Sequence, residues 1–350
     1  VFDLMFDQSL NGSVKMRIAT GFRAVLKTAA AVAVTAALMP IALAQPREKV
    51  SVVLDFTPWG IHAAMHLAKQ KGWFDQAGLD VDVQDGKGTL PGLQLVAVGQ
   101  VDVGAVQLGP MALAREKGLP LIAVAGFARR GDLAVIVAAD SKLDKAQDLA
   151  GKKLVCFTGS PWVPFIDSFR RAANMSEQQF AVTMVAPPAM VATYASGDAD
   201  GFLSLAPFGV PLVAKSRPGK AILAENLGVH FPSYGLVTNE ATLKKRPEAL
   251  RKLVQVQIRA WDYIYQSPAN LDEAVQAIIA QRPTAKLDPD LLRGQIVAYR
   301  EFFETPNTRG KRTGWQSDAD WAQAIKSMES AGAIKPGQKP GDFFTNALVD

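Results

Sequence analysis

The chain has 350 residues, 49% of them hydrophobic and 20% charged, with 28 Gly, 21 Pro, three His and one Cys. It is too apolar for a disordered chain. One Cys excludes an intramolecular disulfide, a four-Cys zinc site and a CxxC redox centre, and three His leave little room for a histidine metal cluster. The 38 Lys and Arg against 33 Asp and Glu give a mild +5 without a long basic run, which argues against a nucleic-acid-binding face.

The chain opens with an export signal. Met16, Arg17, Arg23 and Lys27 form a positive start, Thr28 to Ala44 carries no charge, and Ala42-Leu43-Ala44 is a small-x-small cleavage pattern before Gln45. The uncharged span of about 17 residues is short and weakly apolar for a membrane anchor. Residues 1–15 read as an upstream extension. Removing 1–44 takes away four basic and two acidic residues, so +5 becomes +3 and 306 residues remain.

Residues 50–56 are an apolar run of the kind found in buried parallel strands. Residues 60–71 have helical spacing, with Ile61, Met65 and Ala68 on one face, and 79–85 alternate as a second strand. A helix over 91–100, a strand over 101–107, a helix over 110–118 and a strand over 119–128 follow. This βαβαβαβ order predicts an open α/β sheet. After an extended run at 132–140 the same grammar repeats, with strands around Cys156 and over 180–186, then helix, tight turn and strand over 188–208. A strand at 234–240 leads into a long amphipathic helix at 246–268, and the rest to Ala333 is helical except for 305–314. Residues 95–110 and 191–207 share one helix–Gly–polar–Asp–strand–Pro pattern, so two similar lobes with a cleft between them are expected.

In open α/β sheets ligands bind beyond the carboxyl ends of the strands. After the first strand come Asp55, Phe56, Pro58, Trp59 and His62, where an exposed Trp59 would be costly unless it covered something. Gln107, after the third strand, offers an amide beside Gly109. Gly159, Ser160, Pro161 and Trp162 read as a glycine turn with Ser160 as N-cap and Pro161 at the first helical position, a place where backbone N–H groups could hold an anion. Phe208, Tyr234 and His230 add to a pattern of aromatic residues following strand ends. Trp59 and Trp162 are expected to face one cleft. Together these residues favour a planar or apolar ligand with one or two polar groups. Each alone also has a reading as ordinary packing, His62 included, and His66 reads as structural.

Catalytic patterns are poor. No Gly-x-Gly-x-x-Gly follows a strand, residues 86–92 lack the ending of a phosphate loop, and Gly159-Ser160-Pro161 is not a nucleophile elbow. Cys156 lies inside a strand and reads as buried and inert. No catalytic residue, metal or cofactor is expected.

Residues 54–83, 86–106, 148–161 and 197–203 resemble the solute-binding proteins of ABC importers, in the group of nitrate, sulfonate and taurine binders and of NMT1/THI5-like thiamine-pyrimidine binders. The resemblance covers roughly 50–280. In the pyrimidine-precursor members the first loop reads Leu-Asp-Trp-x-Pro-Asn-x-x-His. Leu54, Asp55, Pro58 and His62 match, Phe56 replaces the Trp, and Trp59 replaces the Asn and its amide hydrogen bonds.

The resemblance implies a monomeric periplasmic receptor with the type II two-lobed α/β fold. Lobe one would be 45–134 plus 235–350, lobe two 135–234, with crossovers near 135–140 and 234–238. The cleft would close on a small organic solute, aromatic or heterocyclic and with or without an anionic group, and present it to an ABC permease in the inner membrane. The alternatives are an exported sensing module for a membrane receptor and an enzyme acting on a pyrimidine-like compound.

Overall fold

The computed structural model describes residues 46–350, and Arg47–Asp350 form one compact unit. The expected export signal lies outside the described residues. No described helix is long and apolar enough to cross a membrane.

Strand β1 (Glu48–Leu54) is followed by a 3₁₀ turn (Gly60–His62), helix α1 (Ala63–Gln70), the short α2 (Trp73–Gln76) and β2 (Leu79–Gln84). The alternation of Leu79, Val81 and Val83 with Asp80, Asp82 and Gln84 buries one face of β2 and wets the other. Then come α3 (Thr89–Ala97), β3 (Val103–Gln107), α4 (Leu108–Glu116) and β4 (Leu121–Ala128). The second half contains β5 (Leu133–Ala138), β6 (Leu154–Phe157), α5 (Ile166–Ala172), β7 (Val182–Val185), α6 (Pro187–Ser196), β8 (Gly201–Leu205), α7 (Ala206–Val213) and β9 (Gly219–Leu223). After β10 (Tyr234–Asn239) the chain is helical: α8 (Glu240–Lys245), α9 (Pro247–Gln266), α10 (Pro268–Gln281), α11 (Pro289–Tyr299) and α12 (Asp318–Ser330).

Two five-stranded sheets result, ordered β2-β1-β3-β10-β4 and β7-β6-β8-β5-β9. In each, three parallel strands are joined by a fourth, β10 or β5, antiparallel to both its neighbours. The expected α/β architecture of two lobes, each a mixed sheet flanked by helices, is therefore present.

Details differ from the sequence reading. Residues 135–140 and 234–238 are not the passages between sheets. β5 and β10 lie inside their sheets with every residue buried, and the chain crosses earlier, over 129–132 and 224–233. β9 was not anticipated, because a half-buried edge strand after Pro218 has neither a clear alternation nor an apolar run.

The long helix α9 packs on α1 and α10, and α11 packs on α10, the Gly60–His62 turn and α7. The C-terminal segment covers the outer edge of β4 through bridges of Ala123 to Phe344 and Gly126 to Gly314. Trp321, stacked on Phe343 and Phe344 at 5.7 Å, fixes that cover. An edge strand left open would be a template for another chain.

Candidate functional site

The strand ends of both lobes converge on a cleft of about 740 Å³ out to its open mouth. From lobe one come Asp55, Phe56 and Trp59 after β1 and Gly88 and Thr89 after β2. From lobe two come Phe157 at the end of β6, Gly159 and Ser160 after it, Met190 on α6, and Ser204 and Phe208 around the start of α7.

Three features hold the lobe-one wall. Asp55 Oδ1 accepts from the Trp59 indole N–H at 3.2 Å and lies 2.8 Å from His62 Nε2. The Trp59 backbone N–H donates to His62 Nδ1 at 3.3 Å, which assigns the imidazole proton to Nε2, where it donates to Asp55. The Gly60 N–H donates to Gln295 Oε1 of α11 at 2.9 Å, and the two residues are so close that a Cβ on Gly60 would stand 2.5 Å from Gln295 Cβ. Trp59 is thereby fixed, 4% exposed, with its ring toward lobe two.

The lobes meet through aromatic pairs. Trp59 stands edge-on to Phe208 with centroids 4.9 Å apart, and Phe56 lies 5.9 Å from Phe157. Such pairs add about 0.5–1.5 kcal/mol beyond the area they bury. At one rim the backbones touch: a Cβ on Gly88 would sit 3.1 Å from the Gly159 carbonyl oxygen. Among the described residues, the cleft lining contains no Lys, Arg or His, and Asp55 is its ionisable side chain.

Of the residues singled out from sequence, Phe56, Trp59, Gly159, Ser160 and Phe208 line this cleft. Trp162, His62, Tyr234, Gln107 and His230 do not. Trp162 is fully buried in lobe two, its indole N–H donating to Ala134 O at 3.1 Å and Ser204 O at 2.7 Å, so the two tryptophans do not face one cleft. His62 and Tyr234 lie behind Trp59 on a separate small void with Met65, Phe127 and Trp261, and the Tyr234 hydroxyl donates to Ala105 O at 2.6 Å. Gln107 is 1% exposed and accepts from the Ser233 hydroxyl at 3.2 Å. His230 borders a polar groove beside Arg130 and Glu225 at the crossovers instead.

Ser160 is also not a helix cap. Its hydroxyl accepts from Trp162 N at 3.2 Å in a local turn, and α5 begins only at Ile166. The anion-holding helix start expected there is not formed. Phe157, Thr89 and Met190 were missed. Phe157 ends a strand, so the strand-end rule applied to it as well; nothing local marks Met190.

Cys156 is buried, and burial pushes its thiol up to about 11, so it is no nucleophile at neutral pH. Among the described residues no group of three or more His, Cys, Asp or Glu is placed to hold a metal ion.

The NMT1/THI5 like family model matches residues 59–271, more than half of the chain. The chain belongs to the NMT1/THI5-like family. The formylaminopyrimidine-binding protein of Halalkalibacterium halodurans is 25% identical over 305 residues, covering 85% of this chain and 90% of that protein. The 4-amino-5-hydroxymethyl-2-methylpyrimidine phosphate synthase THI13 of Saccharomyces cerevisiae is 25% identical over 235 residues, covering 63% and 68%. Among solved structures, the periplasmic aliphatic sulphonate binding protein SsuA of Escherichia coli superposes with a TM-score of 0.63 at 14% identity, over 87% of this chain and 99% of that one. That likeness shows the fold: the two-lobed arrangement of periplasmic binding proteins. The two sequence relatives thus carry the names of a binding protein and a synthase.

Proposed function

We propose that the protein is a solute receptor that binds a small, flat nitrogen heterocycle of the aminopyrimidine kind in its interlobe cleft and presents it to an ABC permease. The observation that carries this reading is the composition of the cleft wall. Aromatic rings from both lobes supply planar apolar surface, and the only ionisable side chain among the described lining residues is the carboxylate Asp55. A carboxylate accepts hydrogen bonds from amino and ring N–H donors and repels a sulfonate or nitrate, which the wall meets with no cationic side chain.

A receptor of this type makes and breaks no bond. Binding energy goes into holding two lobes against each other. The relative named as a synthase raises turnover as a second outcome. Against it, His62 is occupied by Asp55 and the Trp59 backbone, and Cys156 is buried. The n-region and cleavage pattern at 16–44 support an exported, periplasmic protein, and a single receptor chain acting alone fits that role.

Titration calorimetry of natively purified protein with 4-amino-5-hydroxymethyl-2-methylpyrimidine, its formylated analogue, ethanesulfonate and nitrate tests the proposal. We expect heat with the pyrimidines and none with the anions, and unchanged pyrimidine by mass spectrometry after incubation. Tighter binding of ethanesulfonate, or consumption of the pyrimidine, would overturn it.

A further inference from the structure

Helix α11 touches three places that have to act together when a two-lobed receptor closes. Its Gln295 holds Gly60 beside Trp59 on the lobe-one wall. Its Gly294 lies against Pro211 of α7, the helix that carries Phe208 on the lobe-two wall, and Asp288 and Asp290 at its start both accept from Lys215 Nζ at 2.9 Å. Its last residue, Tyr299, packs on the Trp59 ring with centroids 5.4 Å apart and donates its hydroxyl to Asp132 Oδ2 at 2.8 Å.

Asp132 is in the first crossover, and the second meets it there. Ser233 N donates to Ala128 O at 2.9 Å, and its hydroxyl donates to Gln107 Oε1 beside the Asp132 carboxyl. On the lobe-two side, the Asp132 carbonyl accepts from Ala206 N at 2.8 Å, at the first residue of α7. The segment following Tyr299 clamps the same crossover, since Phe302 O accepts from the backbone N–H groups of Arg129 and Arg130. Hinge, lobe-one aromatic wall and lobe-two helix are therefore linked through one phenol.

The cluster is fully buried and incompletely satisfied. Among the described residues, Asp132 Oδ1 and Gln107 Nε2 have no hydrogen-bond partner. Burial pushes the Asp132 carboxyl up to about 6, opposed by the hydrogen bond from Tyr299, so at neutral pH it is a carboxylate that accepts from the Tyr299 hydroxyl. Burial holds the Tyr299 phenol well above its ordinary range, so it remains a donor. A buried acceptor deprived of its donor bears the full desolvation penalty, which makes this bond a stiff link. Buried polar atoms without partners call for an explanation, and a joint whose hydrogen bonds rearrange between open and closed forms is one.

We propose that Tyr299 is a positioning residue that couples the seating of ligand on Trp59 to closure of the hinge through Asp132. This rests on the reading of the cleft as the ligand site. The hydroxyl, rather than the ring, does the coupling: the ring only backs Trp59, whereas the hydroxyl ties it to the crossover.

The test compares wild type, Tyr299→Phe, Asp132→Ala and Asp132→Asn. Calorimetry with 4-amino-5-hydroxymethyl-2-methylpyrimidine, small-angle scattering with and without it, and amide exchange of the ligand-free protein are the readouts. Tyr299→Phe keeps the ring and should weaken binding about tenfold, in line with loss of a hydrogen bond to a charged group, and shrink the ligand-induced compaction. Asp132→Asn keeps an oxygen to accept the phenol proton and should recover most of the affinity lost in Asp132→Ala. Without ligand, exchange at 60–62 and 131–133 should rise together in Tyr299→Phe. Unchanged affinity and compaction in Tyr299→Phe, with only a lower melting temperature, would overturn the coupling and leave a structural bond. If wild type binds no pyrimidine, the functional reading fails, and joint exchange at the two segments still supports the coupling while independent exchange refutes it.

Discussion

Replacing Trp162 by Phe separates a structural tryptophan from a ligand-contacting one. The indole N–H is shared between Ala134 O at 3.1 Å and Ser204 O at 2.7 Å, carbonyls of neighbouring strands β5 and β8 in the core of lobe two. Phenylalanine keeps most of the edge contact with Phe169, at 5.3 Å between centroids, but removes the donor. Leaving buried acceptors without it costs about 1–3 kcal/mol, and the lost ring volume adds roughly 1 kcal/mol. The expected destabilisation is therefore about 2–4 kcal/mol, a large part of the roughly 5–15 kcal/mol that holds a typical domain folded. Urea denaturation followed by circular dichroism should show a lower midpoint with an unchanged slope, while the affinity measured by calorimetry below the transition stays at the wild-type value. A tenfold loss of affinity with an unchanged midpoint would refute the reasoning and put Trp162 back in the cleft.

Trp59→Ala should lower the urea midpoint, because the ring is buried against Phe208 and Tyr299, and unlike Trp162→Phe should also weaken pyrimidine binding by about 1–3 kcal/mol, or roughly ten- to a hundredfold, as expected for a central aromatic anchor; wild-type affinity in the folded variant would contradict the cleft assignment. Gly86→Ala should disrupt the loop before α3, because a Cβ there would stand 1.8 Å from Leu54 O, and urea midpoints should fall by the equivalent of more than about 2 kcal/mol. Stability between pH 4 and 6 should reflect two opposing buried groups. Asp132, raised from 3.8 to about 6, contributes stability that is lost as pH rises through that range, whereas His66, lowered by burial from 6.5 to about 4, contributes stability that is lost as pH falls through it. Each is worth about 3 kcal/mol across its window, so Asp132→Asn should become more stable on going from pH 4 to 6, and His66→Asn less stable; identical pH profiles in the two variants would exclude these shifts. Cys156 should resist iodoacetamide at pH 8 in the folded protein and react once urea unfolds it; rapid alkylation without urea would show that the thiol is accessible.

The parts of the fold legible in sequence are those governed by local pattern. The alternation of 79–84 and the apolar runs Val52–Leu54 in β1 and Val103–Val106 in β3 mark elements that bury one face or two. The strand-end rule located Phe56, Trp59, Gly159, Ser160 and Phe208, because where a parallel strand ends is set by the strand itself. It misplaced Trp162, which follows a strand just as Trp59 does. The difference lies in the turn: Trp162 enters its short 3₁₀ segment with helical backbone angles, and its ring goes back toward β5 and β8, whereas Trp59 is extended and the Gly60 that follows it is held by Gln295 from 235 residues away. Tyr299 was invisible for the same reason. Nothing near it in sequence says that the end of α11 will lie between Trp59 and the first crossover.

The place of β10 in the first sheet bears on the order in which the molecule is made. β3 and β4 are separated by a gap one strand wide, and residues 234–239 fill it only after the whole of lobe two has been synthesised. Lobe one therefore cannot finish first, although it begins first, and a nascent chain that has emerged only as far as β4 carries two strands with unpaired edges. The strands of lobe two form one uninterrupted stretch, 133–223, with every pairing they need. The second sheet can thus be completed without any strand of the first, whereas the first closes only once β10 is in place.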